Sequence, residues 1–68
     1  MELKKVLGKN VVKHRILAEI TQQELAANAE ISISHLRNIE HGRSNATIDM
    51  IERISKSLNV LPEELFRK

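Results

Sequence analysis

Residues 32–41 gather the side chains best suited to reading another molecule. On a helical wheel at about 100° per residue, Ile33, Arg37, His41, Ser34 and Asn38 fall within roughly 0° to 140°. Leu36 and Ile39 fall on the opposite side, near roughly 240° to 300°. A helix here has an apolar back and a polar front. An asparagine amide matches the donor and acceptor of an adenine edge, an arginine fork matches guanine, and a serine hydroxyl bonds either. The chemistry on offer is hydrogen bonding to base edges, with no covalent bond made or broken. Asn and Arg on a helix are also ordinary solvent-facing residues, and that plainer account stands beside the first. Ile33, at the helix start, can pack on a thymine methyl or close the core beneath the preceding turn.

Metal and catalytic chemistry find no comparable set. The three histidines are His14, His35 and His41, and no cysteine supplements them. His35 and His41 sit about 120° out of alignment on one helix, so they do not share a face. There is no nucleophile–base arrangement and no Gly-rich phosphate loop. No enzymatic activity, metal, cofactor or small-molecule ligand is therefore expected. With 68 residues, 41% of them apolar and 29% charged, the chain reads as one globular domain with one small core. Phe66 is the single aromatic, so that core is built from Leu, Ile, Val and Ala.

The absence of cysteine favours a reducing compartment. No apolar run approaches the roughly 20 residues of a membrane span, and no secretory stretch opens the chain. The expectation is a cytoplasmic protein without a membrane partner. Net charge is +2. Lys4, Lys5, Lys9, Lys13 and Arg15 face only Glu2 and Glu19 in the first part of the chain, which tilts it towards anionic partners. A mild basic excess on a surface helix is equally an ordinary solvated face.

Five helices are needed to position these residues. Helix 1 is expected over residues 3–17, with Leu3, Leu7, Val11, His14 and Ala18 in one stripe; Val12 and Ile16 fall outside it. Thr21-Gln22-Gln23-Glu24 has the form of a capping box opening helix 2, whose Leu25, Ala26 and Ala29 face inward. Helix 3 begins at the N-cap residue Ser32 and closes before Gly42, which suits the left-handed position after a helix end. Helix 4 starts around Thr47 and turns Ile48, Ile51, Ile54, Ser55 and Leu58 inward. A short helix 5, opened by Pro62, carries Leu65 and Phe66. No stretch beyond Ile31-Ser32-Ile33-Ser34 alternates as a strand does. Two short helices joined by a tight turn across residues 22–41 have helix-turn-helix geometry.

Thr21-Gln22-Gln23-Glu24-Leu25-Ala26 through Ile39-Glu40-His41-Gly42-Arg43 resembles the Cro/repressor (Xre-type, lambda-repressor-like) helix-turn-helix family. The likeness extends to Leu7-Gly8-Lys9-Asn10-Val11 in helix 1 and to Leu58 through Phe66 at the closing segment, nearly the whole chain. It implies an all-α, compact five-helix domain over residues 1–68, with residues 32–40 as a recognition helix in the major groove. It implies a sequence-specific regulator of transcription that binds an inverted repeat of double-stranded DNA as a homodimer.

Residue by residue, Ile33, Ser34 and Asn38 match positions that meet base edges. Ser32 borders them, and Arg37 matches a variable neighbour that reaches base or phosphate. Gln22 matches a phosphate ligand at the start of helix 2, where the helix dipole also favours an anion. Arg43, Ser44 and Asn45 match further backbone contacts, and His35 is expected at a phosphate with them. Arg15 and Glu40 match a charged pair joining helix 1 to the end of helix 3.

Met50, Leu61 and Leu65 are the apolar candidates for contact between two copies, with plain core as the alternative. Three positions depart from the family pattern: Glu30 for a turn glycine, Ala46 for a proline and His14 for a leucine or aromatic. The compact form resembles controller proteins of restriction–modification systems, and phage repressors look alike at this level. The contrasting reading is an antitoxin-like module that covers a partner protein, for which Val12 and Ile16 are the one apolar hint.

Overall fold

The computed structural model describes residues 2–68. Four α-helices, α1 (Leu3–Leu17), α2 (Gln22–Ala29), α3 (Ile33–Glu40) and α4 (Ile48–Leu58), precede a 3₁₀ helix, Pro62–Phe66. The expected fifth α-helix is thus corrected to a 3₁₀ piece. Its five residues leave no room for a second α turn, and the carbonyls of Leu65 and Arg67 are taken by the Asn10 side chain at 3.0 and 2.7 Å.

Local signals set most of the boundaries. Thr21 and Glu24 form the full capping box: the Glu24 amide donates to Thr21 Oγ1 at 3.1 Å and the Thr21 amide donates to Glu24 Oε1 at 2.8 Å. Ser32 caps α3 by accepting from the His35 amide, and Thr47 caps α4 by accepting from the Met50 amide. Gly42 takes a left-handed φ of 73° just past α3.

The elements pack in a ring around the core. α1 lies against α3 and the 3₁₀ helix, α3 against α2, α2 against α4, and α4 against the 3₁₀ helix. Leu7, Val11, Leu25, Ala26, Ala29, Leu36, Ile39, Ile54, Leu58 and Leu65 fill the centre. Leu65 is fully buried, so its side chain belongs to the core and offers nothing to a second copy; the expectation that it lies between copies is corrected. Leu61 is exposed and Met50 half-buried.

Two stripes extend less far than their periodicity implies. Leu3 is 47% exposed and Ile48 77%, and Ala18 is exposed as well. α1, with 15 residues, is about 22 Å long, whereas α3, with 8, spans about 12 Å, so the ends of α1 overhang their partners. Ile48 sits at the first position of α4, beyond the end of the packed surface.

The turn between α2 and α3 is made by Glu30 at φ 58°. A left-handed non-glycine residue costs roughly 1–2 kcal/mol, and glycine recovers this minus its own entropy. Glu30 is exposed and forms no ion pair among the described residues. Glu30→Gly is therefore expected to raise stability by about 0.5–1 kcal/mol. Urea unfolding checks this, and an unchanged or lower midpoint contradicts it.

Candidate nucleic-acid interface

The buried back of α3, Leu36 and Ile39, fixes its rotation and leaves Ser34, Arg37, Asn38 and His41 exposed on the other side. Ile33 is half-buried and packs on the edge of the core, so part of its surface remains at the front. Ser32 is committed to the cap, its hydroxyl oxygen accepting at 3.0 Å. The front of α3 is a row of short and long polar groups on a helix whose back cannot slip.

A polar network locks this helix to its neighbours. Arg15 Nε donates to Glu40 Oε2 at 2.8 Å and Arg15 Nη2 to Oε1 at 3.3 Å, with side chains only 17% and 4% exposed. Such bidentate pairs fix orientation as well as distance. Arg15 Nη1 also donates to the Ile20 carbonyl at 3.1 Å. Gln22 Nε2 donates to the same Glu40 Oε1 at 2.8 Å, and Gln22 Oε1 accepts from Arg37 Nε at 3.4 Å. α1, α2 and α3 thus meet at one carboxylate. The Gln22 amide is held between Glu40 and Arg37, and its link to Arg37 is the longest in the chain of bonds.

The loop after α3 is tied down as well. A ring nitrogen of His35 lies 3.1 Å from the Asn45 carbonyl, fastening α3 to residues 43–46. The Arg43 amide donates to the Asn38 carbonyl at 2.9 Å and the Ser44 hydroxyl to the Asn45 carbonyl at 3.4 Å. Arg43 and Asn45 are exposed, and Ser44 and His35 half-buried. Ser34, Arg37 and Asn38 therefore lie together on one helix face. Arg43, Ser44 and Asn45 lie beyond its C-terminal end, and Gln22 beside Arg37.

Three residues that position the site went unread in the sequence. Gly8 lets α1 approach α3 closely: a Cβ there would lie 2.5 Å from the Ile39 carbonyl oxygen and 2.8 Å from that of Glu40. Asn10, a lone amide beside the buried Val11, anchors the 3₁₀ helix, and its place next to an apolar stripe was the signal available. Arg53 Nε donates to the Ala29 carbonyl at 2.8 Å, closing the end of α2 at the turn into α3. Among the described residues no group of three His, Cys, Asp or Glu side chains gathers as a metal site, and no helix is long and apolar enough to cross a membrane.

Known proteins share this fold. Residues 13–65 match the HTH_3 family, described as helix-turn-helix. The uncharacterized HTH-type transcriptional regulator y4dJ of Sinorhizobium fredii is 31% identical over 65 residues, covering 96% of this chain and 84% of that protein. Control protein C.BamHI of Bacillus amyloliquefaciens is 35% identical over 48 residues, covering 71% of this chain and 59% of that protein. The restriction-modification controller protein C.AhdI of Aeromonas hydrophila superposes with a TM-score of 0.89 at 24% identity, covering 93% of this chain and 96% of its own, which establishes the shared fold. With its family match spanning both helices of the motif and most of the chain, the protein belongs to the HTH_3 (Xre-type) helix-turn-helix family.

Proposed function

We propose that this protein is a sequence-specific DNA-binding regulator of transcription, of the controller type, that binds an inverted-repeat operator as a homodimer. The observation that carries this reading is the exposed row Ser34, Arg37 and Asn38 on a helix fixed from behind by Leu36, Ile39 and the Arg15–Glu40 pair. A rigid helix with a polar front satisfies the geometry of major-groove reading. Ser34 and Asn38 read base edges, and Ile33 packs its half-exposed side chain on a methyl. Arg37 joins them once its long bond to Gln22 is exchanged for a base or phosphate. Arg43, Ser44, Asn45, His35 and the start of α2 at Gln22 track the backbone and supply register. The relation to a control protein and to an HTH-type transcriptional regulator supports the same assignment.

Selection of bound fragments from a random DNA pool near physiological salt, where non-specific binding is weak, tests the proposal. The expected product is an inverted repeat with half-sites about 10 base pairs apart. Recovery of no motif by folded protein overturns it and moves the reading to a protein-binding module.

Substitutions then separate the two kinds of contact. Asn38→Ala is expected to cost about 1–3 kcal/mol on the selected site and little on random DNA. Arg43→Ala is expected to weaken both alike and to flatten the salt slope by about one unit. Fluorescence-anisotropy titrations at several salt concentrations measure both. Equal losses on the two DNAs for Asn38→Ala would remove it from base reading.

A further inference from the structure

On the outside of the ring, at the seam between α1 and the 3₁₀ helix, lies a cleft of about 600 Å³ lined by Val6, Lys9, Asn10, Lys13, Arg67 and Lys68. Four of these six residues are cations. Arg67 pairs with Glu64 at 3.3 Å, while Lys9, Lys13 and Lys68 enter no ion pair among the described residues. The cleft thus gathers three lysine side chains without an ion-pair partner among the described residues. Lys9 and Lys13 stand one turn apart on the same face of α1, a like-charged spacing that is mildly unfavourable unless an anion relieves it.

The cleft has a fixed wall. The nearly fully buried Asn10 donates both amide hydrogens to backbone, at 3.0 Å to Leu65 and 2.7 Å to Arg67, so the backbone of the last residues is held beside α1. Val6 adds a half-buried apolar surface.

The position of the cleft selects its occupant. In the ring, α1 touches α3 on one flank and the 3₁₀ helix on the other. A helix seated by the face of α3 in a groove leaves the far seam of α1 uncovered. We propose that this cleft docks an acidic segment of a partner protein, its carboxylates meeting Lys9, Lys13 and Lys68 and an aliphatic stem lying on Val6. Lysine ammonium groups on flexible stems take carboxylates in many geometries, and an apolar wall suits a peptide better than a phosphate backbone. The proposal extends beyond the regulator reading; the choice of a protein segment over DNA rests on that reading, whereas the cluster of cations at the seam does not.

Titration of the ¹⁵N-labelled protein with a blocked oligoglutamate peptide, and separately with a random-sequence DNA duplex, tests this. The peptide is expected to shift the amides of residues 6–13 and 65–68 and to leave Ile33–Asn38 unmoved. Lys9→Gln with Lys13→Gln is expected to weaken peptide binding roughly tenfold, while the thermal midpoint does not fall and duplex binding weakens by far less. An oligoglutamine control is expected to cause no shift. Peptide shifts on α3, unchanged affinity in the double variant, or displacement of the peptide by the duplex would each overturn the proposal. The last result would assign the cleft to DNA phosphates instead.

Discussion

Glu40→Ala is expected to lower the unfolding free energy by about 3–5 kcal/mol, as read from urea denaturation. Removing the carboxylate leaves the Arg15 guanidinium, only 17% exposed, without its charged partner. It also strips Gln22 Nε2 of its acceptor. A domain of this length has roughly 3–10 kcal/mol of stability in total, so the variant is expected to lose a large share of it and to unfold at a much lower urea midpoint. The intact pair is a different matter from the broken one. Desolvation offsets much of its attraction, and apolar residues of similar volume often replace such a pair without loss.

Arg15→Met combined with Glu40→Leu is accordingly expected to recover more than half of what Glu40→Ala loses. A single-variant loss below about 1 kcal/mol would show that the pair is solvated and carries little. The double variant has a second use. It restores the fold but leaves Gln22 without Glu40, so a change in DNA preference in this variant would show that the pair sets the exposed face of α3 as well as the fold.

Gly8→Val is expected to cost about 3 kcal/mol, the upper part of the range for overpacking. On an isolated helix the usual direction is the reverse, because glycine is about 0.8–1.0 kcal/mol worse than alanine at an interior position. Here the added Cβ meets the backbone oxygens of Ile39 at 2.5 Å and Glu40 at 2.8 Å, neither of which can swing aside as a side chain would. The two helices must separate by roughly 1 Å to reach ordinary contact, opening voids in a close-packed interior.

The crossing lies next to Glu40, so the displacement also pulls on the Arg15 bonds. Thermal unfolding measures the loss, and amide shifts on residues 33–41 report the movement of α3. A variant as stable as the parent would mean that α3 moves without penalty.

Much of this was readable because it is local. A capping hydroxyl and the amide it serves are three residues apart, so Thr21, Ser32 and Thr47 announce their helices in the sequence itself. The polar front of α3 follows from period alone, and the left-handed turn at Glu30 from the family pattern. What escaped reading depends on distant partners. Where the segment 62–66 is anchored is set by an amide at position 10 that takes the Leu65 carbonyl. The inward stripe of α4 includes Ile48 by period, yet nothing in the period says where the neighbouring surface stops. The bond from the Gln22 amide to Glu40, 18 residues away, is likewise invisible in the sequence. Gly8 looks like a helix breaker unless the helix crossing above it is known.

The closed ring has a consequence for the order of events during synthesis. α1 is made first, but its outer partner, the 3₁₀ helix, follows much later; Asn10 and Leu65 are 55 residues apart. At about 5–20 residues per second, the emerging chain carries an incompletely covered α1 for roughly 3–10 seconds. Until Leu65 leaves the ribosome, the centre of the domain lacks one of its fully buried side chains. A nascent chain in that interval is open to chaperones and proteases, so the supply of working protein depends on the codons for residues 62–66 as much as on those of α3.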